Sequence, residues 1–219
     1  MQAKQEMRHK ITMRHQIFPI LGLVCLMGWG SPVRADSPIT STPIADVYLD
    51  IPLVQKARTT GTLTPEMAQF LSDNRYPIDQ KAALINALSW RVEGKQNAQI
   101  YQKFLADRYG AMNLKKLTPH EVFALAYLTV MDDYFQPERA MPLFDQAMRR
   151  NRNSLTVGLI RILNRAQIVM TQPGEWCRVW RLAEETNRNR TLTADLRPAA
   201  RKIILDYMVL YRDSCPRNP

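Results

Sequence analysis

"TPHEVFALAYLTVMDD", residues 118–133, announces a helix before any other part of the chain is considered. Thr118 supplies an N-cap hydroxyl, Pro119 suits the first helical position, and Glu121 stands at the third. Together they make a capping box, in which Thr and Glu satisfy each other's backbone N–H groups. The helix opened there runs through the apolar "VFALAYLTVMDD".

Working outward, the same punctuation recurs. Thr64-Pro65 opens "PEMAQFLSDN" with an N-cap residue before proline. "PIDQKAALINALSWRV" places Ala83, Ala87, Trp90 and Leu84, Leu88 at helical spacing, with Gly94 expected to end it as a left-handed cap. "NAQIYQKFLADRY" repeats the pattern and stops at Gly110. Beyond the central segment, "QPERAMPLFDQAMRRN" has two prolines. Pro137 suits a start, and Pro142 either kinks the helix or marks its real beginning. Ser154 caps "LTVGLIRILNRAQIVM", and Thr171 to Gly174 make a turn before "EWCRVWRLAEE". "TNRNRT" reads as a loop, and "LRPAARKIILDYMVLYRD" as the last helix. "ADVYLDIPLV" is the weakest segment, with near-alternating apolar residues broken by Pro52; no strand pattern competes elsewhere.

The expectation is an all-α single domain over residues 45–219, about eight helices packed as antiparallel hairpins. Ala140-x3-Phe144-x2-Ala147 resembles the second helix of a tetratricopeptide unit over eight residues. That resemblance implies helical-hairpin packing and admits a short repeat-like array.

The N-terminus reads differently. Lys4, Arg8, Lys10 and Arg14 precede "IFPILGLVCLMGWG", an apolar run of 14 residues, and Val33-x-Ala35 has the small-x-small pattern of a cleavage site. This is the order of a secretory signal peptide, residues 1–35, with Met7 and Met13 as alternative starts. The run is shorter than the roughly 20 residues a permanent span needs. Gly22-Leu23-Val24 lacks the small residue expected directly before a lipidated cysteine, so Cys25 does not mark a lipoprotein. The Ser/Thr/Pro-rich segment 36–44 is expected to be a flexible lead-in. The protein is expected in the periplasm of a bacterium, or otherwise secreted, with no integral span after cleavage.

Without residues 1–35 the formal charge falls from +10 to +6, and the excess is one-sided. Residues 36–140 hold 11 basic and 12 acidic side chains; residues 141–219 hold 14 and 7, and 13 of those 14 are arginine. Such a field steers an anionic partner or simply solvates the surface. The two densest clusters are Arg149, Arg150, Arg152 and Arg188, Arg190. Cys177 and Cys215 remain as an isolated pair, most simply a disulfide in an oxidising compartment.

On a helical wheel "EWCRVWRLAEE" separates its residues: Trp176, Val179, Trp180 and Ala183 form one apolar stripe, with Arg178 and Arg181 opposite. The tryptophans are therefore expected as core anchors.

Motifs for catalysis are missing. His120 is the one histidine beyond the signal segment, so no His-based metal site is expected. No phosphate-binding glycine loop or nucleophile elbow occurs, and Asp132-Asp133 lacks the rest of a calcium loop. A glycosidase would need only two carboxylates. Glu66, Glu121, Glu138 and Glu175 are conceivable, but each falls at a helix start, where an acid complements the dipole anyway. The reading is a non-catalytic, exported protein-interaction module without cofactor, whose partner is an envelope protein or peptide. The alternative is a module for an anionic envelope polymer or lipid head group through the arginine-rich third; an envelope glycosidase comes third. Nucleic acid is not expected as a partner, because export removes the usual targets.

Overall fold

Helix α5 (Pro119–Asp132) is the one around which the fold is assembled. Its capping box forms: Thr118 Oγ1 accepts from the Glu121 N–H at 3.2 Å, and Glu121 Oε2 accepts from the Thr118 N–H at 2.8 Å. Val122 through Leu128 are at most 1% exposed, so the helix is apolar all round and must be enclosed on every side. In the computed structural model, which describes residues 37–216, it is enclosed by α2 (Pro65–Ser72), α3 (Ile78–Leu88), α4 (Asn97–Tyr109), α6 (Met141–Arg150) and α7 (Leu155–Val169). With α1 (Pro52–Thr60), α8 (Trp176–Arg188) and α9 (Pro198–Met208), nine α-helices stand among the described residues, with no strand. The protein is all-α, and consecutive helices from α4 to α8 pack on each other. Ala140, Phe144 and Ala147 are fully buried where α6 meets α5 and α7. Residues 1–36, which include the segment expected to be a signal peptide, and residues 217–219 lie outside the described residues.

Several boundaries differ from the sequence reading, each for a tertiary reason. Helix α3 ends at Leu88, well before Gly94, where Ser89 takes a positive φ of 61°. The Lys95 ammonium donates to the Leu88 carbonyl, serving the α3 end as a glycine cap would, and at 2.8 Å to the carbonyl of Gly61, the left-handed cap of α1. Gly94 instead forms a turn at φ 81°, where a Cβ would meet the Asp132 carbonyl at 3.1 Å. Pro142 proves to mark a beginning, lying in the first turn of α6 after a 3-10 turn at Pro137–Arg139. Helix α8 runs on through Thr186, Asn187 and Arg188 instead of yielding to a loop. Two contacts hold that extension. Thr186 packs beside Gly158, whose missing side chain lets α7 approach, and the Arg201 guanidinium binds Asn187 Oδ1 at 2.5 Å and its carbonyl at 3.0 Å.

The segment expected as a flexible lead-in is packed. Ile39 and Ile44 are fully buried, the Asn86 side chain holds the Thr42 carbonyl at 3.1 Å, and Ile44–Val47 forms a 3-10 turn against α3 and α9. Serine, threonine and proline suggested a linker; the two isoleucines decided otherwise. Arg197 ties this end to the C-terminal third. Its guanidinium binds Asp50 at 2.6 and 2.9 Å and the Val47 carbonyl at 2.7 Å, and lies over the Tyr48 ring at 4.2 Å.

Cys177 and Cys215 are bonded, Cα to Cα 4.5 Å, joining the first turn of α8 to the end of the final 3-10 segment (Val209–Ser214). Closing a 38-residue loop contributes about 4 kcal/mol on the chain-entropy model. The stripe of α8 is only partly core. Val179 and Ala183 are fully buried and Trp180 half-buried, but Trp176 is 51% exposed. The wheel puts Trp176 on the right face, yet at the first turn that face meets a short 3-10 segment instead of a long helix. Tyr211 presents its ring edge-on at 6.0 Å and leaves much of the indole uncovered.

Candidate functional site

The arginines at positions 149, 150 and 152 come together where α6 gives way to α7. Arg149 and Arg150 occupy the last turn of α6, where cations complement the negative helix end. Arg150 is half-buried, and its guanidinium donates to the carbonyls of Leu117 at 2.7 Å and Leu114 at 3.1 Å, fastening α6 to the segment that leads into α5. Its task is structural. Arg149 and Arg152 are exposed, and among the described residues no carboxylate lies within 4.0 Å of either guanidinium. Most guanidiniums elsewhere that face an acid are neutralised by it, as Arg58 is by Asp46, Arg75 by Asp73 and Arg197 by Asp50.

The turn that carries them is rigidly held. The Asn151 side chain donates to the carbonyls of Pro119 at 3.2 Å and Ala147 at 2.9 Å. The Thr193 N–H donates to the Asn153 carbonyl at 2.5 Å, and the Leu155 N–H to the Thr193 carbonyl at 3.2 Å. Ser154 caps α7, and Asp195 accepts from both the Thr156 N–H and, through its carbonyl, the Thr156 hydroxyl at 2.8 Å. The first N–H groups of α7 are thus used internally, so the charge offered to a ligand comes from side chains. The result is an open cleft of about 500 Å³ walled by Arg149, Arg150, Arg152, Asn151, Asn153 and Thr193, with the Asp195 carboxylate as its one acid.

Arg188 and Arg190 do not join it. Arg188 pairs with Glu184 at 2.9 Å one helical turn away, and Arg190 sits exposed in the loop after α8; neither lines the cleft. The four glutamates considered for catalysis are scattered. Glu66 pairs with Lys56 at 2.6 Å, and Glu175 with Arg178 at 3.4 Å. Glu138 is exposed on the 3-10 turn, and Glu121 is fully buried, accepting from Thr118 and from the Tyr109 hydroxyl at 2.9 and 3.2 Å.

A second polar cluster escaped the sequence reading. Lys81 on α3 is fully buried, and its Nζ lies 2.9 Å from His120 Nδ1. An ammonium can only donate, so Nδ1 accepts and the neutral ring carries its proton on Nε2. Burial, and then the Lys81 charge, hold the His120 imidazole down at about 4. Burial likewise brings the Lys81 ammonium down to about 8, against the opposing pull of Asp73 and Glu121. His120, in the first turn of α5, is half-buried and partnered by Lys81. A signal existed: Lys81 lies on the stripe of Ile78, Ile85 and Leu88, where a lysine must be internal or snorkelling.

At this point the class is defined: an all-α helical-hairpin protein with an arginine cleft at one interhelical turn. Comparison with protein-family models, with curated proteins and with solved structures found no match.

Proposed function

We propose that the chain is an exported, non-catalytic binding protein that recognises an anionic ligand at the α6–α7 turn. The observation carrying this reading is the pair Arg149 and Arg152, exposed side by side on a fixed turn with no acidic partner among the described residues. Guanidinium suits phosphate and carboxylate because its planar fork offers paired N–H donors. Export is supported by the signal-like N-terminus and by the Cys177–Cys215 bond. The glutamates, engaged in caps and ion pairs or dispersed over different helices, favour binding over glycoside hydrolysis.

The test is retention on phosphocellulose with a salt gradient. The Arg149→Ala/Arg152→Ala protein is expected to elute at clearly lower salt than the parent. Arg188→Ala/Arg190→Ala, which removes the same charge, is expected to elute near the parent. Equal shifts in both variants would reduce the cleft to general surface charge.

A protein-interaction module is the second reading, and one observation favours it. Val92 is 63% exposed at a groove of about 510 Å³ between α4 and the end of α5, and Phe135, 59% exposed, follows the groove residue Asp133 by two positions. Apolar knobs of that size beside a polar groove suit a peptide partner.

A further inference from the structure

The arginine cleft has a neighbour, and the two share a wall. Arg149 and Arg152 line the hollow of about 500 Å³ toward Thr193 and also a second one, about 540 Å³, toward Asp145 and Arg161. The two guanidiniums therefore stand on a ridge with open ground on both sides. A lone oxyanion is held best in a concavity whose donors converge on it; a ridge offers it one face at a time. A chain with anionic groups at intervals can cross the ridge and use both arginines together, each contact raising the effective concentration for the next.

Each hollow holds one carboxylate against three arginines, which leaves a positive excess at the ridge. On one flank Arg161 is neutralised by Asp145 at 2.7 Å. On the other, the Asp195 carboxylate lines the hollow, held by the Thr156 N–H at 2.8 Å, and is one acid against Arg149, Arg150 and Arg152; Arg150 is itself held by the Leu117 carbonyl at 2.7 Å. Both hollows are shallow and open, with none of the enclosure that selects a small molecule. Resting on the anion-binding reading above, we infer that the ligand is a linear polyanion, a polymer carrying repeated phosphate or carboxylate groups, laid across the Arg149–Arg152 ridge from one hollow to the other.

The experiment compares chain lengths by calorimetric titration of the purified protein at low salt. One series is inorganic phosphate, tripolyphosphate and long-chain polyphosphate; the other is galacturonate and polygalacturonate. In at least one series affinity is expected to rise ~10-fold or more from monomer to polymer, and to fall steeply as salt is added. The stronger series identifies the oxyanion as phosphate or carboxylate. Arg149→Ala and Arg152→Ala are each expected to lower polymer affinity roughly tenfold, with Arg188→Ala/Arg190→Ala near the parent. A monomer that binds as tightly as its polymer, through the same two arginines, would overturn the polymer inference and leave the anion site standing. Failure of every anion in both series would overturn both. Polymer binding insensitive to Arg149 and Arg152 would overturn the ridge as its location.

Discussion

Two charged clusters lie on either side of the Thr118-Pro119 helix start, and they hold their charge on opposite terms. Inside, Lys81 and Glu121 are buried and His120 half-buried, with Lys81 Nζ against His120 Nδ1 and the Glu121 carboxylate against Thr118 and Tyr109. On the surface, Arg149 and Arg152 face solvent with no ion-paired acid, Arg152 Nε donating to the Arg149 carbonyl at 3.3 Å, while Arg150 between them is given over to two carbonyls of a distant segment. Removing a partner from inside leaves an unsatisfied group in a low-dielectric setting, which is costly. Removing an exposed arginine leaves water in its place, which costs the fold almost nothing. The inner cluster therefore specifies structure, whereas the outer pair carries charge that no acid of the described fold neutralises.

The sharpest way to break that contrast is at Glu121. Glu121→Ala removes half of the capping box and strands both the Thr118 N–H and the Tyr109 hydroxyl. A loss on the order of 3–4 kcal/mol in urea unfolding is expected. A loss under about 1 kcal/mol would mean that water serves those groups as well as the carboxylate does.

The next effect is one of pH. The unfolded chain protonates its histidine near 6.5 and the folded one only near 4, so between those values the unfolded state holds more protons. His120 therefore contributes stability that falls as pH drops through that window, by roughly 2 kcal/mol for a half-buried ring. Asp132 works in the opposite sense, because burial raises its carboxyl above the usual range. The histidine part is isolated by subtracting the pH profile of His120→Asn. In Lys81→Met the imidazole should titrate higher than 4 by NMR yet stay below 6.5, since burial is the larger cause. No movement in Lys81→Met would detach the two residues.

The smallest effect belongs to the outer pair. Arg149→Ala/Arg152→Ala is expected to stay within about 0.5 kcal/mol of the parent in unfolding, and Arg150→Ala to lose about 1–2 kcal/mol with its two carbonyl bonds. Similar losses for all three would erase the distinction between the structural arginine and the exposed ones.

Much of the architecture could be read from short-range chemistry. The Thr64, Thr118 and Ser154 caps, the Gly110 stop and the all-α class depend on residues within one turn of each other. The reading failed where a distant residue did a local residue's work: Lys95 ending α3, Arg201 extending α8, and Ile39 and Ile44 anchoring a segment that looked like a linker. For the candidate site, clustering in sequence singled out Arg149, Arg150 and Arg152 but could not separate their surroundings, because the carbonyls that occupy Arg150 lie more than thirty positions away. It also offered Arg188 and Arg190 as equals, which the fold keeps out of the cleft.

The sequence by itself determined that this protein is helical, where most helices begin, which cysteines pair, and that positive charge gathers in the C-terminal third. Those are consequences of capping, periodicity and composition, which act over a few residues or need no geometry at all. Only the tertiary structure decided that Lys81 lies inside against His120, that Trp176 stays half-uncovered, and that two of three neighbouring arginines remain available. Each of those depends on which atoms from remote segments arrive within about 3–6 Å, and hydrogen bonding and burial operate at that range.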